Sequence, residues 1–298
     1  MRLGLKAYFE ILRPINCFFG SLTVIIGFLN ASNSEGSAFF LNPKHILLLT
    51  GGILIYFLVA GASNTINDLF DLEIDRINRP DRPIPRGDIK KPQALRYYMI
   101  LIILALSLSI PIGLISENFI LIPLLTGFFA FIGFFYAWKG KSMGLPGNII
   151  VGISFSFGIP FGSLLITQIQ HTPVEIWFFF STSMTLLISR EIIKGMEDIE
   201  GDRKFNIKTV ANTMGFKTSA IISTAFSLSA IITFTFPVFI LQMSAYFVVF
   251  MVIGDALVLL SCVILLIDLN DKIHQKKSSL LLKSGAFCGL IAYALAFV

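Results

Sequence analysis

Apolar residues run along this chain in long, nearly unbroken blocks separated by short polar stretches, without the strict alternation of a half-buried strand. Tyr8–Leu29, Ile46–Ile66, Leu95–Ile115, Phe119–Trp138, Pro146–Thr167, Val174–Ile193, Thr218–Phe239, Ser244–Ile267 and Leu280–Val298 each approach the roughly 20 residues that a helix needs to cross a hydrocarbon core of about 30 Å. The pattern predicts an all-α integral membrane protein, a bundle of nine transmembrane helices joined mostly by short loops. No stretch reads as a linker between folding units, so residues 1–298 read as one polytopic domain.

Composition agrees and narrows the choice. Mean hydropathy is +0.81. Charged residues make up 14% of the chain, against about a quarter in soluble domains. With the N-terminus inside, all of the 23 Lys and Arg except Lys44 fall on the cytoplasmic side, as the positive-inside rule requires. That orientation puts the C-terminus outside. The net charge of +5 is then a topology signal and gives no reason to expect a nucleic-acid partner. Arg13-Pro14 and Asn16 interrupt the first apolar block and no small-residue cleavage site follows, so the first span is expected to be retained. Cys17, Cys262 and Cys288 lie in apolar blocks without metal-ligand spacing and read as packing residues. His45, His171 and His274 are far apart and suggest no shared role.

The acids are not scattered: 67–91 and 190–208 hold 11 of the 18 Asp and Glu. Each group closes an apolar block, the second and the sixth, so both emerge on one face of a nine-span bundle. At about 100° per residue, Asn64, Asp68, Asp71 and Asp75 share one helical stripe within about 60°. Glu191, Lys194, Asp198 and Asp202 share another within about 80°. Lipid tolerates neither stripe, so both should turn inward. Carboxylates at this spacing suit Mg²⁺ held by a few acids while substrate phosphates complete its shell. Arg79, Arg82, Lys141, Lys194 and Arg203 are candidate partners for a polyanion such as a diphosphate. Prolines in Asn78–Gly87 stiffen a loop that carries Arg79, Arg82 and Arg86. Tyr136 ends the fourth block, where an aromatic face suits a forming carbocation, although aromatics are also common at membrane interfaces. Asn148 lies just inside the fifth span. Asp255, near the middle of the eighth, fits a polar bundle contact or a substrate passage equally well.

Asn67-Asp68-x-x-Asp71-x-x-x-Asp75, continuing into Arg79-Pro80-Asp81-Arg82-Pro83-Ile84-Pro85-x-Gly87, resembles the first aspartate-rich motif of the UbiA superfamily of intramembrane prenyltransferases. Asp198-x-x-x-Asp202 resembles the second. The resemblance implies nine helices around a central cavity and two Mg²⁺ ions that bridge the aspartates to a prenyl diphosphate. Asp68, Asp71 and Asp75 would serve one metal region, Asp198 and Asp202 the other. Asn64, Arg79, Arg82, Tyr136, Lys141 and Lys194 would contact the diphosphate or stabilise charge. The string Arg190–Asp202, with Glu191, looks most like the archaeal ether-lipid branch, whose acceptor is the lipid phosphate geranylgeranylglyceryl phosphate. An aromatic or chlorin acceptor is the alternative within the family. A cation-coupled transporter is the alternative outside it, although transporters place such acids at mid-membrane. No obligatory protein partner is evident.

Overall fold

The computed structural model describes residues 2–32, 42–116, 118–205 and 207–297, without the side chains of 2–4 and 78. Val298, the last residue of the ninth expected span, lies outside them. The described residues are helical with no strand. Eight stretches among them are long and apolar enough to span a membrane: Pro14–Ala31, Pro43–Phe70, Lys91–Ile115, Leu121–Trp138, Leu145–Leu164, Val174–Glu197, Val210–Ile240 and Ala245–Ile267. The ninth expected span, Leu280–Val298, overlaps the helix Lys272–Ala294 from Leu280 to Ala294; the first half of that helix carries Lys272, Lys276, Lys277 and Lys283.

Several expected spans are broken, each for a local reason. Tyr8–Leu29 is two helices, α1 (Arg2–Ile11) and α2 (Pro14–Ala31). Pro14 opens α2, and Arg13 before it takes φ 53° and ψ 62°, which no continuous helix allows. The fifth span divides into α7 (Leu145–Ser156) and α8 (Gly158–Leu164) because the Pro160 ring conflicts with the carbonyl of Ser156. The seventh divides likewise before Pro237, into α11 (Val210–Thr235) and α12 (Pro237–Ile240). Its start is also earlier than expected: Thr209 and Asn212 form a reciprocal cap, and Gly215 at φ 80° then turns the chain into the membrane-length run.

Cα packing divides the chain into two compact units, residues 1–140 with 160–172, and residues 141–159 with 173–298. In the first unit α3 (Pro43–Phe70) is central, packing on α2, α5 (Lys91–Ile115) and α6 (Leu121–Trp138). Asn42 and Pro43 start α3, with the Asn42 side chain accepting from the Lys44 amide at 2.9 Å. A Cβ on Gly162 would strike the Val24 carbonyl, so only glycine lets these backbones come so close. The polar end of this unit is a layer of α1, α4 (Leu72–Asn78) and the loop to α5. Buried Ala7, Ile11, Leu72, Ile84, Ile89 and Ala94 hold it together.

In the second unit α9 (Val174–Glu197) packs on α7, α11 and α14 (Lys272–Ala294), and α14 packs on α13 (Ala245–Ile267). Without a hydrophobic force between helices in lipid, hydroxyl pairs and ring contacts fix the fit. Ser189 pairs with Ser223 at 2.9 Å and Ser227 at 2.8 Å, and Ser261 pairs with Ser278 at 2.7 Å. Phe179 stacks on Tyr293 with centroids 4.0 Å apart, and Phe234 meets Tyr293 edge-on at 5.1 Å.

Candidate active site

Both acidic motifs share one local backbone. In the first, α3 ends at Phe70, Asp71 stands alone at φ −83° and ψ 2°, and α4 begins at Leu72. In the second, α9 ends at Glu197, Asp198 stands alone at φ −95° and ψ 7°, and α10 (Ile199–Lys204) begins at Ile199. These angles fall in the sparsely populated bridge region where many active-site residues lie. The i→i−4 bonds continue through both breaks: Asp71 N to Asn67 O at 2.9 Å, Asp75 N to Asp71 O at 2.8 Å, Asp198 N to Lys194 O and Asp202 N to Asp198 O at 3.0 Å each. The helical stripe read from sequence therefore survives the interruption. Registered on the breaks, Asp71 corresponds to Asp198 and Asp75 to Asp202, while the position of Asp68 falls on Gly195.

The first cluster is buried. Asp68, Asp71 and Asp75 are 2%, 6% and 4% exposed. Arg82 Nη1 donates to Asp68 Oδ1 at 3.0 Å and also to Asp75 Oδ2. Arg13 Nη2 donates to the same Asp68 oxygen. Asp71 turns aside and accepts from Asn67 Nδ2 at 3.0 Å. Asn64 donates to the Leu12 carbonyl at 2.8 Å and lies 3.6 Å from Cys17 Sγ. Buried carboxylates need counter-charge, and here two guanidinium groups supply it. Among the described residues no three acids already converge as a metal cluster. The donor set nonetheless suits a hard divalent cation: three buried carboxylates on one stripe, with the side-chain amide oxygen of Asn67, Oδ1, buried and without a hydrogen-bond partner.

Arg79 is exposed and takes no part in the pairs of Arg82. Arg86, further along the loop, donates to Glu10 at 2.8 and 3.3 Å and to Asp88 at 2.7 Å. Those bonds to Glu10 and then to Asp88 raise its pKa further above the usual arginine value. Tyr136 is half-buried on the last turn of α6, and the cation over an aromatic ring there is Lys139, 5.4 Å from Trp138.

The second cluster is more open. Glu191 Oε1 accepts from Lys194 at 3.0 Å and from Arg190 at 3.2 Å. Asp198 is exposed and Asp202 half-buried, as are Lys141 on a 3₁₀ turn and Asn148 in the first turn of α7. Arg203 is exposed, and Glu200 pairs with Lys272 at 2.9 Å. One oxygen of Glu197, Oε1, is buried without a hydrogen-bond partner, and this acid directly precedes Asp198 in the chain. Asp255 accepts from Thr235 at 2.9 Å in a mainly apolar pocket lined also by Thr182, Phe234 and Tyr293.

Sequence reading missed Arg13, Asn67 and Glu197 as individuals. Arg13 showed only as a charge interrupting an apolar block. Its partner lies 55 residues away, a separation that no local periodicity reveals.

The chain matches the model of the UbiA prenyltransferase family over residues 19–291. It is 33% identical to the digeranylgeranylglyceryl phosphate synthase of Thermococcus gammatolerans, over 99% of each chain. It is 36% identical to that of Pyrococcus abyssi, over 79% of each. A solved digeranylgeranylglyceryl phosphate synthase structure is similar at a TM-score of 0.79 and 30% identity, covering 100% of this chain and 99% of its own. A UbiA homologue from Archaeoglobus fulgidus, solved with GPP and Mg²⁺, shares the fold at a TM-score of 0.69 and 18% identity, covering 97% of this chain and 99% of its own.

Proposed function

We propose that this chain, which belongs to the UbiA prenyltransferase family, transfers a geranylgeranyl group from geranylgeranyl diphosphate to the free glycerol hydroxyl of geranylgeranylglyceryl phosphate. The product carries the second ether bond of an archaeal membrane lipid. The observation that carries this reading is similarity to the Thermococcus gammatolerans synthase along 99% of the chain. Residues 1–298 then act as one catalytic domain, and charge asymmetry supports a cytoplasmic N-terminus and active-site loops, with the C-terminus outside.

In this reading Asp68, Asp71 and Asp75 hold one divalent ion and Asp198 and Asp202 a second, with Asn67 and Glu197 offering further oxygens. Mg²⁺ neutralises the diphosphate and makes it a better leaving group. Arg79, Arg82, Lys141 and Lys194 hold phosphate oxygens, guanidinium being suited to bidentate contact. Asn64, Asn148 and Glu191 position the headgroup and its lysine. Tyr136 turns an aromatic face toward the allylic carbon as its bond to the bridging oxygen breaks. The acceptor hydroxyl oxygen then bonds to that carbon, and its proton leaves with the diphosphate or to water.

The test is an assay in nanodiscs with labelled geranylgeranyl diphosphate and Mg²⁺, offering geranylgeranylglyceryl phosphate and 4-hydroxybenzoate separately. EDTA-sensitive product from the glycerol phosphate alone is expected, with Asp68→Ala and Asp198→Ala both inactive. Product from the aromatic acid instead overturns the acceptor, and full turnover in both variants overturns the metal assignment.

A further inference from the structure

Arg13 forms the corner between α1 and α2 and, among the described residues, is the one non-glycine with positive φ. A long side chain takes that backbone only where its surroundings compel it, and such outliers gather at functional sites. What compels it here is visible on both sides. Pro14 fixes the start of α2, while α1 is fastened to the loop before α5 by Ala7 and Ile11 and by the Glu10–Arg86 pair. The corner faces the acidic stripe directly. Its Leu12 carbonyl takes the Asn64 amide and its Arg13 guanidinium takes Asp68, two residues one helical turn apart on α3.

Asp68 Oδ1 thus accepts from two guanidinium groups, Arg13 and Arg82. Arg82 alone bridges Asp68 to Asp75 and is 16% exposed, whereas Arg13 makes a single ion pair and is 27% exposed. A divalent ion on Asp68 would face both arginines across a short gap, and like charges there repel. The guanidinium with fewer ties and more freedom is the one to move, and a phosphate oxygen is its natural destination.

We infer that Arg13 is a binding residue for the diphosphate of the substrate, and that its contact with Asp68 is the resting arrangement which a divalent ion displaces. The inference rests on the prenyl-transfer reading above. It is an exchange of ionic partners and no covalent bond changes: Asp68 passes from guanidinium to metal, and Arg13 from carboxylate to phosphate.

Arg13→Gly separates the charge from the corner, since glycine holds positive φ without a Cβ penalty. Arg13→Lys keeps the charge without the fork. The full chain in nanodiscs would be titrated with Mn²⁺ alone by electron paramagnetic resonance, then with inorganic pyrophosphate at saturating Mn²⁺ by calorimetry. Arg13→Gly is expected to bind Mn²⁺ alone roughly three- to tenfold tighter, because a competing cation is gone. The same variant should bind pyrophosphate about tenfold weaker, with Arg13→Lys between. Opposite changes in one protein cannot come from damaged folding. Unchanged pyrophosphate affinity, or both affinities falling together, would overturn the inference. A wild type that binds neither probe overturns the functional reading itself.

Discussion

Replacing Arg82 by alanine should cost this protein stability in a way that metal partly restores. Arg82 bridges Asp68 and Asp75, whose side chains are 2% and 6% exposed. Removing one partner of a buried pair costs about 3–5 kcal/mol, because the remaining charge is left without compensation. Asp68 keeps Arg13, whereas Asp75 loses the guanidinium that answers it. Arg82 is itself 16% exposed, which lets water into the gap and places the cost near the lower end, about 3 kcal/mol. At about 2–4 °C per kcal/mol, the unfolding midpoint should drop by about 6–12 °C in EDTA. A metal at a hundred times its Kd adds about 2.7 kcal/mol to whatever binds it. Wild type gains less than that, since the ion must compete with guanidinium on these carboxylates, while Arg82→Ala offers a freed Asp75. Fluorescence-detected thermal unfolding in EDTA and in MgCl₂ reads both midpoints. The gap between the two proteins should shrink by about half or more in Mg²⁺. A gap that stays constant or widens would refute the claim that these carboxylates exchange arginine for metal.

Gly162→Leu should destabilise by about 1–3 kcal/mol, because its side chain must displace the α2 backbone at Val24; an unchanged midpoint would contradict the close approach. Phe179→Ala removes a fully buried ring from the Phe234–Phe247–Tyr293 cluster and should cost about 3–5 kcal/mol, measured by the same unfolding assay. Asp271 caps α14, and hydrogen bonds from the Ile273 amide and then His274 hold its carboxyl below its usual pKa. A depressed folded pKa means the cap is at full strength above the unfolded value and is lost as pH falls through the folded one. Stability should therefore fall below about pH 4 in wild type and fall less in Asp271→Asn; parallel pH profiles would be the contrary result. Glu10→Gln should loosen α1 only slightly, since the Arg86 pair is an exposed one of at most about 1 kcal/mol. Its effect should vanish in high salt, and a salt-independent loss would tell against a surface ion pair.

Much of this molecule could be read from its residues because a bilayer leaves the backbone few choices. A long apolar block must be a helix, so the helical, membrane-spanning architecture followed from hydropathy. The interruptions were harder, since a proline within a span can either break or bend it. Pro111 sits inside α5 without ending it, whereas Pro14, Pro160 and Pro237 each open a new piece or lie one turn into it. The carboxylate stripes were legible because a 3.6-residue period is local, and the single-residue breaks at Asp71 and Asp198 leave it in phase. The cations that answer those carboxylates were only half legible. Arg82 stands seven residues from Asp75, but Arg13 is delivered by a corner whose backbone angle no propensity foretells.

The serine and threonine contacts within the second unit carry a different consequence. Ser189, Ser223, Ser227, Ser261 and Ser278 make neutral, reciprocal bonds between helices, and none of them titrates near physiological pH. Apart from Asp255, bonded to Thr235 within the bundle, acid and salt act on the charged ends of the helices, at pairs such as Lys272–Glu200 and His274–Asp271. The membrane-embedded register of this unit is therefore insulated from the ionic state of its own loops. Loop charges can be rewritten by mutation, by pH or by ionic strength while the helices between them stay in step, so ionic chemistry at the surface is free to vary without renegotiating how the bundle is packed.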